Sequence, residues 1–176
     1  STSRAEDNGE YDPLQYQKVY IYNSEGGLLR KYAAKDDIPA RLELLSGTYR
    51  VAVEAGEQVP ADFSKRFYKG EETFTVKPGE TTHAEVVCKI ANTVVEVKFD
   101  ASIVENLDPG YFVWIAGTDK FDEAEAESGA VPALKFTDEG TGYYTLPAGT
   151  TSLARMFRGT HTTGKEVEME NTLTEV

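Results

Sequence analysis

Only two histidines, His83 and His161, and one cysteine, Cys88, are available for nucleophilic or general-base chemistry in the 176 residues. A Ser or Cys nucleophile needs a base beside it and a third group to orient that base. His83 falls on an alternating, strand-like segment and His161 on a loop-like one, and no G-x-S-x-G elbow is present. Both are expected as ordinary surface positions. Cys88 shares an alternating face with Ala84, Val86 and Ile90, which predicts an inward, structural thiol rather than a reactive one. A lone cysteine also excludes an intramolecular disulfide and a multi-cysteine metal site.

The acids Asp119, Asp122, Glu123, Glu125 and Glu127 are dense enough to suggest calcium, which takes six to eight oxygen ligands. Their spacing is not that of an EF-hand, and a solvated acidic loop is the expectation. No glycine-rich loop opens a helix to cradle phosphate, and nothing places two carboxylates across a cleft for glycoside hydrolysis. The sequence thus assigns no catalytic residue, no cofactor and no metal. Aromatic residues remain: Tyr20 and Tyr22 lie opposite Val19 and Ile21 on one strand, and Trp114 stands in an apolar run. Such rings could hold a sugar or be covered by a second sheet or a neighbouring domain, and the second reading is preferred.

The elements that would carry these residues are strands. The segment "QYQKVYIYN" alternates with period two, and "SEGG" turns the chain into "LLRKYA". "IPARLEL" is expected as a further short strand, with Pro39 at an edge. Tyr49, Val51 and Val53 then face one way and Arg50, Ala52 and Glu54 the other, after a turn at Ser46-Gly47. "AGEQVPADFSK" is read as a polar loop, "RFYKGEETFTV" as a strand, "KPGE" as a turn and "THAEVVCKI" as another strand.

At Ala91-Asn92 the phase slips, since Val95, Val97 and Phe99 now form the apolar set. "ASIVENL" predicts a short helical turn, and "YFVWIAG" a strand covered on both sides with Trp114 anchoring a core. "TDKFDEAEAESGA" is acidic and turn-rich, "ALKF" a short strand, and "GTGYYTLPAGTTSLARMF" a strand, a turn and a strand. In "KEVEMENTLTEV", Val167, Met169 and Leu173 alternate with polar residues. No amphipathic helix of ordinary length is present, so the class is all-β.

"LLSGTY" and "LPAGTT" repeat one opening, and their glycines, Gly47 and Gly149, stand about one small β-sandwich apart. The organisation expected is a disordered leader or tether over residues 1–14, an N-terminal β-sandwich over 15–91 and a C-terminal one over 92–176, lacking a final edge strand. Each sandwich would be transthyretin-like or immunoglobulin-like, a Greek key. Thirty acids against 18 bases leave a net charge of −12, which disfavours a nucleic-acid partner. No stretch reaches the roughly 20 apolar residues of a membrane helix, and no signal-peptide pattern opens the chain; a soluble chain with its targeting segment removed is expected.

The ordering "KVYIYNSEGGLLRKY", "LLSGTYRVAVEAGE" and "RFYKGEETFTVKPGETTHAEVVCKIANTVVEVKF" resembles a domain family of Bacteroidales cell-surface lipoproteins, related to the fimbrillin-like and fimbrial-anchor proteins. The match is close over about residues 18–100 and looser at "YYTLPAGTT". The resemblance implies two tandem sandwiches, export to the cell surface as an outer-membrane lipoprotein or an extracellular subunit, and a non-enzymatic role in cell adhesion or fimbrium assembly. Partners would be other surface or fimbrial proteins, or a host or glycan ligand, with the membrane reached only through a lipid anchor before Ser1. A carbohydrate-binding module of a polysaccharide-capture system is the alternative. The family carries over no catalytic or binding residue.

Overall fold

The computed structural model describes residues 11–174. It is all-β, with twelve strands among the described residues: β1 (Lys18–Asn23), β2 (Leu28–Tyr32), β3 (Gly47–Ala55), β4 (Ala61–Asp62), β5 (Tyr68–Val76), β6 (Lys89–Ile90), β7 (Thr93–Val97), β8 (Phe112–Ala116), β9 (Ala133–Phe136), β10 (Gly140–Tyr144), β11 (Ser152–Thr160) and β12 (Glu166–Thr174). Two six-residue helices, α1 (Ala101–Asn106) and α2 (Glu123–Ser128), interrupt them. All strand pairs are antiparallel, in three sheets.

The chain divides into two compact units. The first comprises Tyr11–Gln58 and Lys65–Asn92, the second Val59–Ser64 and the residues from Thr93 onward. The passage between them falls at Asn92/Thr93, one residue beyond the expected point. Val59–Ser64, expected inside a polar loop of the first half, belongs instead to the second unit, where β4 pairs with β10 through Ala61 and Tyr144. The expected leader is also too long. Residues 1–10 lie outside the described residues, but Tyr11 already accepts a hydrogen bond on its hydroxyl from the Glu57 amide at 2.6 Å, and Asp12 caps a 3-10 turn over Pro13–Tyr16.

The first unit is one five-stranded sheet in the order β2-β1-β3-β5-β6. Its first hairpin is fixed by Asn23, whose Oδ1 accepts from the amides of Glu25 and Gly27 at 3.0 and 2.7 Å, while Gly26 takes a φ of 85° that a side chain would oppose. Register then sorts the faces: Val19 pairs with Val53, Ile21 with Val51 and Tyr49 with Phe74, all on one side. Ile21, Tyr49 and Val51 are buried there, with Val19, Val53, Phe74 and Val76 against them.

Two expected strands do not form in this unit. Residues 38–44 and 81–88 carry no ladder, and only Lys89–Ile90 of the second segment pairs, with β5. Leu42, Leu44 and Val86 nevertheless pack on the apolar cluster. Alternation records a segment that lays alternate side chains on a sheet as faithfully as one that pairs within it. Pro39 moreover has no amide hydrogen to offer a ladder. At Gly70 of β5 the second segment comes so close that a Cβ would collide with the Val87 carbonyl oxygen.

The second unit sets β4-β10-β7 against β12-β11-β8-β9. Val97 and Tyr144 of the smaller sheet share a core with Val113, Ile115, Phe136, Leu153 and Phe157 of the larger. Tyr144 is fully buried, and its hydroxyl donates to the Ile115 carbonyl at 3.3 Å. Helix α1 forms where a helical turn was expected, with Asp100 as its cap. The C-terminal strand, expected to be short, runs nine residues and pairs with β11 along its whole length.

The repeated Gly-Thr opening also resolves differently from expectation. Gly47 is not a turn residue; it is the first residue of β3 and pairs with Val76. Gly149 does turn, at a φ of 83°, with the Thr150 amide bonded to the Pro147 carbonyl. What the two share is the element that follows, a nine-residue strand paired on both sides.

Candidate functional site

The described residues of the first unit form a single sheet, and its apolar face is partly open within that unit. Val19 and Ile21 of β1, Val51 of β3 and Phe74 of β5 form its floor, and residues 40–46 and 77–86 form its two borders. The resulting groove has a volume of about 1120 Å³, larger than the roughly 300–1,000 Å³ of ordinary small-molecule sites. Arg41 Nη2 donates to Thr81 Oγ1 at 2.8 Å, and this exposed bond ties one border to the other. Thr82 is tethered separately, through its hydroxyl to the Thr75 carbonyl at 2.8 Å.

The borders and edges of this unit carry apolar side chains that reach solvent. Leu45 is 86% exposed and Val87 69%. Leu28 and Leu29 on edge strand β2, and Ile90 on edge strand β6, are exposed as well. Sheet edges of soluble proteins are ordinarily blunted by charge or proline, so an edge that offers leucine and isoleucine is suited to a protein partner. Neither border residue nor floor residue brings an acid, base or nucleophile into a catalytic arrangement. His83, at the groove's border, is exposed.

Tyr20 and Tyr22 occupy the opposite face of the same sheet, as the alternation predicts. Their rings stand 6.5 Å apart at 21°, and both are half-buried. Arg50 lies over the Tyr22 ring at 4.2 Å while also pairing with Glu71 at 2.9 Å, and Lys31 lies over the Tyr20 ring at 5.8 Å. Cations therefore already occupy ring faces that a sugar would need to stack on. Partial burial, with Glu54 nearby, holds the Tyr20 phenol above its ordinary pKa.

In the second unit Trp114 is only 8% exposed. It sits on the outer face of β8 with Met156 and Ala126, under α2 and 6.5 Å from the Phe121 ring. The structure therefore places it in a second core and not on an open surface, and its buried indole N–H has no partner among the described residues. The acidic run becomes the helix that covers it. Asp122 caps α2 by accepting from the Glu125 amide at 3.1 Å, and Glu123 takes both Nη groups of Arg158 at 3.1 Å. Acids in a first helical turn are stabilised by the unpaired amides there, which gives the run a structural role.

Cys88 is half-buried, 3.9 Å from the Val53 carbonyl oxygen, and burial pushes its thiol up. A thiol raised in this way is a poor nucleophile. His161 turns the β11–β12 connection: its Nδ1 accepts from the Thr163 amide at 3.1 Å, and no acid orients the ring among the described residues. The groove was not found from sequence. Its only trace is the alternation of residues 38–44 and 81–88, which makes both read as strands although they pack on the sheet without pairing in it.

No curated protein matches the sequence. A family model matches residues 1–176, and on it the chain belongs to the family described as a domain of unknown function, DUF4493.

Proposed function

We propose that this protein is a non-enzymatic cell-surface module, an adhesion or fimbria-related subunit that binds other proteins through its sheet edges and loops. The observation that carries this reading is the groove of the first unit. An apolar floor lies between two extended segments that pair with neither each other nor a second sheet, and an incoming extended chain could bond to their free main-chain groups while placing alternate side chains on the floor. The exposed leucines and isoleucine at β2 and β6 support the same mode of binding at the edges. On this reading each unit is a β-sandwich of the transthyretin or immunoglobulin type, the first with its second layer incomplete. The resemblance to Bacteroidales surface lipoproteins supports an extracellular or outer-membrane-anchored location.

The sugar-binding alternative loses support from the cations on Tyr20 and Tyr22 and from the burial of Trp114. The test is genetic and biochemical. Deletion of the gene is expected to reduce adhesion, and purified protein to be retained on host-cell surfaces, on matrix or on a surface protein of its own cell. Unchanged adhesion after deletion, together with no retention on any of these, removes the proposal.

A further inference from the structure

The inner face of the second unit's four-stranded sheet carries a cation where alternation calls for an apolar side chain. On β11, Leu153 and Phe157 lie in the core, so Arg155, two residues from each, shares their side of the sheet. It pairs in register with Ile115 of β8 and Asn171 of β12. Its Nε donates to Asn171 Oδ1 at 2.8 Å. Among the described residues no carboxylate lies within ion-pair reach of the guanidinium, and its two Nη groups make no hydrogen bond.

Beside Arg155 the core is open. Three strands face four, and Met169, on the inner side of edge strand β12 by its register with Phe157, is 52% exposed. A slot of about 170 Å³ results, lined by Val97, Val113, Ile115 and Phe157, by Met169 and Leu173 of β12, and by Arg155. Glu96 and Lys98 at the same slot pair with each other at 3.3 Å, which leaves Arg155 as its uncompensated charge among the described residues. An apolar cavity of about 150 Å³ holds a benzene-sized guest, so this one has room for about six carbons. A guanidinium with both Nη groups unused is shaped for a carboxylate.

We propose that the slot binds a free carboxylic acid of about six carbons in all, the carboxylate on Arg155 and the apolar tail against Val113 and Phe157. The site lies in the second unit and does not depend on the groove of the first. The chain's two methionines provide the readout: Met169 lines the slot, while Met156 is buried on the other face of the sheet.

The experiment titrates sodium hexanoate, and separately hexan-1-ol, into the whole chain carrying ¹³C-methyl methionine. Hexanoate is expected to shift the Met169 methyl saturably, with a Kd of about 1 mM or tighter, and to leave Met156 in place. Hexan-1-ol is expected to bind at least about tenfold more weakly. Arg155→Gln should bring hexanoate down to the level of the alcohol, and Arg155→Lys should retain part of the preference. Equal affinity for acid and alcohol in the native protein overturns the proposal without any variant. So does equal movement of both methyls, or no shift of Met169 by about 50 mM hexanoate. A peptide ending in leucine that binds more tightly than hexanoate also overturns it, because the slot would then be a receptor for a chain terminus.

Discussion

Arg41 and Thr81 meet across the groove of the first unit, Nη2 to Oγ1 at 2.8 Å, and neither border segment is otherwise held to the other by a strand ladder. The contact is exposed, so Arg41→Ala is expected to cost only about 0.5–1 kcal/mol. Its local effect should be larger. Proteolytic cleavage within residues 40–46 and 81–86 is expected to quicken by about tenfold, while hydrogen exchange in β1 and β3 stays unchanged; faster exchange in those strands would mean that Arg41 stabilises the unit as a whole.

Gly70 is where the chain after β5 presses onto the sheet, and a Cβ there would collide with the backbone oxygen of Val87. A carbonyl cannot swing away as a side chain can. Gly70→Ala should therefore lose about 1–3 kcal/mol in urea unfolding, against less than about 0.5 kcal/mol for Thr73→Ala on the exposed side of the same strand. Equal losses would show that residues 86–88 are free to move off the sheet.

Alkaline stability follows from the buried phenol of the second unit. Burial holds Tyr144 well above the ordinary 10.0, and Cys88 above its ordinary 9.0. A group whose folded pKa is raised keeps its proton longer folded than unfolded, so its stabilisation is complete below the unfolded pKa and is lost as pH rises beyond it. The urea midpoint is expected to hold near neutrality and to fall once pH passes the ordinary values of the two groups. Tyr144→Phe should cost about 1 kcal/mol at neutral pH and make the alkaline fall shallower; an unchanged slope would exclude Tyr144 as its source.

Trp114 is the chain's one tryptophan, and α2 shields it. Arg158 holds that helix through Glu123 at 3.1 Å and also reaches Glu168 at 3.5 Å. These groups are more than a third exposed, so screening limits their worth to about 0.5–1 kcal/mol. Arg158→Ala is expected to raise acrylamide quenching of Trp114 with only a small change in stability. Quenching identical to that of the native protein would show that α2 is held by the packing of Ala126 alone.

Strands that bury one face and pair on both sides could be read from sequence, because burial and pairing then impose the same period. β1 and β3 are of this kind, and so is the opposition of Tyr20 and Tyr22 to Ile21. Residues 38–44 and 81–88 could not be distinguished from strands, since Leu42, Leu44 and Val86 alternate toward the sheet without a neighbour to bond with. β4 was hidden for the converse reason: two polar-loop residues pair with Tyr143 and Tyr144, and only that remote partner makes them a strand. Arg155 did leave a trace, as the one charge between Leu153 and Phe157 in an otherwise apolar alternation. Its partner in register, Asn171, was needed to show which face it takes.

The central claim is that the groove of the first unit receives an extended chain from a neighbouring protein. Its most direct test places a photo-reactive phenylalanine analogue at Leu44, on the groove border, and separately at Tyr20 on the opposite face, in protein expressed in its own cell. Light is expected to give a covalent adduct from Leu44 whose mass spectrum contains a peptide with alternating apolar residues, and none from Tyr20. A glycan adduct at Tyr20 with nothing captured at Leu44 would contradict the account.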